Sequence, residues 1–157
     1  MMNETIVALS SGTMKAAIAI IRLSGSQSFE ILSAIFSNQK QYEHQKIYYG
    51  YIMDQQEVVD EVMVSCFLAP HSFTCENMVE INCHGNPYII QHIIALCIQH
   101  GARLAERGEF TKRAFLNGRI DLVKAESIND LIMASNKQAV QLALSGLKGL
   151  TSKYVVD

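Results

Sequence analysis

Long apolar runs are missing from this chain. None exceeds six residues, Ala16 to Ile21 among them, whereas a bilayer-spanning helix needs about 20. The sequence therefore predicts no transmembrane helix and no membrane partner. The opening residues, Met1-Met2-Asn3-Glu4-Thr5, lack the basic stretch and apolar core of a secretion signal, which predicts a cytoplasmic protein with reduced cysteines. Proline is scarce, 2 among 157 residues, and glycine numbers only 9, the composition of one soluble globular domain with no room for a second of full size. The four cysteines, at 66, 75, 83 and 97, form no C-x-x-C pair, so no zinc site and no other metal site is expected. His71, Cys75, Cys83 and His84 are a group that a fold could gather, and ordinary core and loop roles are favoured for them.

Nucleotide and nucleophile motifs are absent too. There is no G-x-x-x-x-G-K-[ST]; the nearest approach, Gly146-Leu147-Lys148-Gly149-Leu150, has neither the spacing nor a preceding strand. No GTP or ATP binding through a P-loop is expected of the chain, and no GTPase activity. G-x-S-x-G and G-x-G-x-x-G are missing as well, which leaves neither a hydrolase elbow nor a dinucleotide loop.

Charge is small in total, −2, but unevenly spread. Residues 103 to 124 hold six bases against three acids, a local balance of +3, whereas 54 to 80 hold six acids and no base. One basic and one acidic surface would produce this pattern, and so would solvated helix and strand faces.

Secondary-structure signals are clear. Thr5 to Leu9, Ala16 to Leu23, Ile47 to Met53, Val58 to Leu68 and Met78 to Cys83 are β-branched or aromatic runs that predict five strands. Asp54-Gln55-Gln56-Glu57 joins the third to the fourth as a hairpin, making the sheet at least partly antiparallel. Between the second and third strands, Ser26 is a candidate cap for a helix bearing Phe29, Leu32, Ile35 and Phe36. After the fifth strand the period lengthens to about 3.6. Asn86-Pro87 opens a helix over about 87 to 100 with Ile90, Ile93, Ile94 and Cys97 as its stripe and Gly101 as its terminator. Arg103 to Ala105 is a short strand candidate. A helix from Glu109 to Leu116 should stop at Asn117-Gly118. From Asp121 onward the pattern is helical, with Ile128, Leu131 and Ile132 on one face and Val140, Ala143, Leu144 and Leu147 on another, separated by a capping-box pattern, Ser135-Asn136-Lys137-Gln138. These apolar stripes have little of the chain to pack against, as in part of another domain or of a partner.

Three polar segments at element ends are the candidates for chemistry. In Ile20-Ile21-Arg22-Leu23-Ser24-Gly25, Arg22 closes an apolar strand, either pairing with an anionic or carbonyl group or simply reaching water. In the segment from Pro70 to Gly85, period-two alternation sets Val79, Ile81 and Cys83 on one face and Glu80 with Asn82 on the other. A carboxylate so placed can accept two parallel hydrogen bonds from a flat guanidine-like edge such as that of a pterin; a solvated outer face is the plainer alternative. His84 suits bracing the turn into the next helix better than acting as a base. In the segment from Arg107 to Leu122, charge is dense beside Phe110 and Phe115. Glu109 suits a helix N-terminus, Asp121 a helix cap, and Arg119, after the Asn-Gly turn, is available to a ligand.

On Glu4-Thr5-Ile6-Val7-Ala8, IIRLSG, PHSFTCENMVEINCHG and above all RGEFTKRAFLNGRIDLVKAESINDLI, the sequence resembles the N-terminal part of the bacterial tRNA modification GTPases of the MnmE (TrmE) family, over nearly its whole length to about Gly149. The resemblance implies an α/β (α+β) domain with a mixed, partly antiparallel sheet and packed helices, similar to the folate-binding aminomethyltransferase fold. It divides the chain into a tetrahydrofolate-binding and dimerisation domain, 1–118, and the first helices of a helical domain, 119–157. It also implies a homodimer that binds 5-formyltetrahydrofolate or a related reduced folate, works with the flavoprotein MnmG in wobble-uridine (U34) modification, and meets tRNA indirectly. GTP, with Mg and K, would belong to a G domain that these residues lack. Carried over by position, the folate contacts are Arg22, Glu80 and Arg119; no residue is assigned as acid, base or nucleophile. The chain departs from the family pattern at Ser10 to Lys15, Cys75, Asn77, Asn86, Arg107 and Arg119, the last an arginine where lysine is common. Two alternative readings are a stand-alone folate-dependent one-carbon transferase and a structural dimerisation module with a decayed ligand site.

Overall fold

Alternating β-branched residues build the sheet. In the computed structural model, residues 4–12, 16–38 and 41–155 are described, excepting the side chains of 122, 125, 128 and 148–155. Ile128 of the expected helical stripe and Thr13, Met14 and Lys15 of the departing segment therefore lie outside the description. The strands are β1 (Ile6–Leu9), β2 (Ala16–Ser24), β3 (Lys46–Asp54), β4 (Glu57–Phe67), β5 (Met78–Gly85) and the two-residue β6 (Arg103–Leu104). They form one sheet in the order β3-β4-β5-β2-β1-β6. All neighbours are antiparallel except β1 and β6, which run parallel, so the sheet is mixed, as the family resemblance implies. The β3–β4 hairpin turns on Gln55, whose φ of 58° supplies the left-handed conformation a two-residue connection needs.

The pleat sorts the side chains by face. Val7, Ile21, Val64, Ile81 and Cys83 point to one side, where helices α1 (Ser28–Ile35) and α2 (Pro87–Gln99) supply Ile31, Leu32, Ile35, Ile90, Ile93 and Cys97 to a continuous core. Register lines up Ile21, Ile81 and Val64 across three strands, all three fully buried. Truncating Ile81 to alanine there is expected to cost about 2–5 kcal/mol. Gly50 serves the same layer: a Cβ on it would stand 2.8 Å from the Phe36 ring, so only glycine lets that ring lie against β3.

Helix ends follow local chemistry with two adjustments. Asn86 caps α2 as expected, its Oδ1 accepting from the N–H groups of Tyr88 at 2.8 Å and Ile89 at 3.3 Å. Gly101 follows with φ at 117°. The cap of α1 falls on Gln27, not Ser26, and uses no side-chain bond. Thr5, just before β1, instead accepts from the Gln27 N–H at 3.0 Å, so a tie to that distant segment replaces the local cap.

The chain forms two compact units, 1–110 and 111–157. Helix α3 (Glu109–Leu116) begins in the first; α4 (Leu122–Met133) and α5 (Lys137–Val155) belong to the second. Asp121 caps α4 through the Lys124 N–H at 2.8 Å. The cap of α5 is Asn136, accepting from the Ala139 N–H at 2.8 Å, one residue later than the expected capping box. Gly146 permits close approach of α4 and α5: a Cβ there would lie 2.7 Å from Ser127 Oγ. Of the expected stripes, Ala143 is buried, Leu131, Val140 and Leu147 are half-buried, and Ile132 and Leu144 are exposed; Met133 and Leu142, outside those stripes, are about three-quarters exposed. No helix among the described residues is long and apolar enough to cross a membrane.

Candidate functional site

The sheet face opposite the helices carries the polar candidates. Arg22 on β2 and Glu80 on β5 are direct cross-strand partners, with Ala8 and Ser65 continuing the row onto β1 and β4. Arg22 donates from Nε at 3.0 Å and from Nη2 at 2.7 Å, both to Glu80 Oε2. Nη1 and Oε1 take no partner among the described residues. Both side chains are about one-fifth exposed, so the pair is partly shielded yet reachable from solvent. Of the readings open for Arg22, the ion pair is the one that occurs.

Two rings flank that pair. The Arg22 guanidinium carbon lies 5.3 Å from the Phe73 ring centroid and 5.1 Å from that of Phe110, both within cation–π range. Sequence reasoning did not connect these phenylalanines to Arg22. The available signal was their chemistry: each is an aromatic residue within a polar segment at an element end.

The loop before β5 is held by buried polar ties. Ser24 donates to Glu76 Oε1 at 2.7 Å and shares a hydrogen bond with Thr74 at 2.6 Å; Ser24 and Thr74 are both fully buried. Asn77 accepts from the Gly25 N–H at 2.9 Å through its carbonyl and from the Ala69 N–H at 2.9 Å through its side chain. Arg103 on β6 pairs with Glu109 through two parallel bonds, 3.0 Å and 2.6 Å, and also with Glu4. The Arg103 guanidinium pKa is raised by these carboxylates, and the hydrogen bond to Arg103 holds the Glu4 carboxyl below its usual range.

His84, expected to brace the turn into the next helix, does so through its carbonyl, which accepts from the Asn86 N–H at 2.8 Å, whereas its side chain ties β5 to β4. Its N–H donates to Asp60 Oδ2 at 2.8 Å and its ring Nδ1 lies 2.8 Å from Oδ1. The other members of the His71, Cys75, Cys83, His84 group separate: Cys83 faces the core, and the His71 ring lies against that of His44, centroids 5.6 Å apart. Burial pushes the Cys66 and Cys97 thiols up to about 12 and the Cys83 thiol to about 11, which makes all three poor nucleophiles at neutral pH. Arg119 belongs to the second unit, exposed, with its N–H donating to the Ala114 carbonyl at 2.8 Å.

Residues 5–119 match the model of the family described as GTP-binding protein TrmE N-terminus. The chain belongs to this family. Among curated relatives named tRNA modification GTPase MnmE, that of Mycoplasma mycoides is 43% identical over 157 residues, 100% of this chain and 35% of the relative. That of Lactococcus lactis subsp. cremoris is 48% identical over 154 residues, 97% of this chain and 34% of the relative. The Fervidobacterium nodosum protein is 47% identical over 158 residues, again 34% of its length. This TrmE N-terminal chain thus spans about a third of the relatives it matches.

Proposed function

We propose that this chain is the folate-binding and dimerisation module of a cytoplasmic tRNA modification GTPase acting on the wobble uridine U34. The observation that carries the folate reading is the one-oxygen geometry of the Arg22–Glu80 pair. Because both Arg22 donors converge on Oε2, the pair keeps one acceptor, Oε1, and one donor, Nη1, without partners among the described residues. The 2-amino-4-oxo edge of a reduced pterin offers the complement, N–H donors beside a carbonyl. The proposed ligand is 5-formyltetrahydrofolate or a related reduced folate, with Arg22 and Glu80 as contacts. Arg119 enters the proposal from the family pattern alone.

The proposed homodimer rests on the outer face of β3 and β4. Ile47, Tyr49 and Met63 are each about half exposed or more, an apolar band on a sheet surface that the helices do not cover. A second copy of the chain is the proposed cover. The relatives' name, tRNA modification GTPase, supports GTP and tRNA in the proposal; Mg and K in a G domain outside these residues, the flavoprotein MnmG as partner and indirect action on tRNA enter from the family resemblance alone.

Calorimetric titration with 5-formyltetrahydrofolate tests the reading. The wild-type chain is expected to bind, and Arg22→Ala and Glu80→Ala each to bind at least about tenfold more weakly, the worth of one charge-assisted hydrogen bond. Unchanged affinity in both variants contradicts the assignment.

A further inference from the structure

We infer that Phe73 and Phe110 are positioning residues, an aromatic clamp that holds Arg22 on Glu80 as a preformed recognition pair. The inference rests on the proposed role of that pair in ligand binding and adds what keeps it ready. An arginine at the end of a strand has several freely turning bonds, and a one-oxygen contact with Glu80 fixes its direction poorly. Two rings within 5.3 Å and 5.1 Å of the guanidinium carbon restrict that freedom.

The rings themselves are fixed by independent ties. Phe73 precedes Thr74, fully buried and bonded to Ser24 on the same strand as Arg22. Phe110 follows Glu109, 8% exposed and held in two parallel bonds by Arg103. The walls of the clamp therefore come from two segments far apart in sequence, each anchored one residue away through a buried polar group. Ligand affinity then reflects a pair already ordered, because the freedom of Arg22 is lost on folding and not on binding.

Two readouts on the 157-residue chain test this. In the ligand-free protein, the Arg22 Nε–Hε proton resonance, moved downfield by the Glu80 hydrogen bond and upfield by the two rings, is expected to shift downfield from its wild-type position in Phe73→Leu and in Phe110→Leu. In titrations with 5-formyltetrahydrofolate, both leucine variants are expected to bind about tenfold more weakly, with Phe110→Tyr restoring wild-type affinity and the melting temperature little changed. An Arg22 resonance that does not shift downfield in either leucine variant overturns the clamp, whatever the folate result. Leucine variants that bind as tightly as the wild type overturn its positioning role. If the wild type binds no folate, the ligand reading falls, and the clamp then stands or falls on the Arg22 resonance.

Discussion

Asp60 receives His84 twice, its two carboxylate oxygens taking the backbone N–H and ring Nδ1 of the same residue, each at 2.8 Å. Asp60 lies on β4 and is 8% exposed, so its carboxylate finds its partners in the protein rather than in water. Replacing it with alanine leaves the His84 N–H without its acceptor. Asp60→Ala is expected to lower stability by about 1–3 kcal/mol, and Asp60→Asn, which keeps an acceptor for that N–H, by less. Urea denaturation of the two variants checks the order.

Asn86 is the only side chain bonded to the first-turn N–H groups of Tyr88 and Ile89 among the described residues. Asn86→Ala is expected to destabilise the chain by about 1 kcal/mol and Asn86→Gly by a few tenths. Equal losses in the two would show that the side-chain cap is not the source.

Much of this architecture was legible in the sequence, and the misses share one cause. Alternation alone placed Val79, Ile81 and Cys83 in the core and Glu80 outside, and Arg22 stood out as a charge ending an apolar strand. Their pairing is a matter of register between strands 58 residues apart, which depends on tertiary packing. The cap of α1 escaped because Thr5 on the β1 side substitutes for a local side chain. Phe73 and Phe110 escaped for the same reason: their places are set by Ser24–Thr74 and Arg103–Glu109, ties that no local pattern announces.

The buried thiols predict an alkaline limit to stability. Unfolded cysteines ionise near 9.0, whereas Cys83 holds its proton to about 11 and Cys66 and Cys97 to about 12. Above pH 9 the folded state binds more protons than the unfolded one, so this contribution is complete below pH 9 and is lost as pH rises through 11 to 12. The slope is up to about 1.4 kcal/mol per pH unit for each thiol. Urea midpoints measured from pH 8 to pH 11 should fall, and should fall less steeply in Cys66→Val/Cys97→Val.

The apolar outer band predicts the assembly state. Light scattering is expected to report a dimer for the wild-type chain, and Met63→Glu, which sets a charge in the exposed band beside Tyr49, to shift it toward monomer with the circular dichroism spectrum retained. A wild type that is monomeric at every concentration contradicts the dimer.

The central claim is that Arg22 and Glu80 together read the guanidine-like edge of a reduced pterin. The most direct measurement is a cycle of calorimetric titrations pairing wild type and Glu80→Ala with 5-formyltetrahydrofolate and with its analogue lacking the 2-amino group. Removing that amino group should weaken binding to the wild type about tenfold or more and make little further difference to Glu80→Ala. An equal loss in both proteins, or no loss in either, would contradict the account.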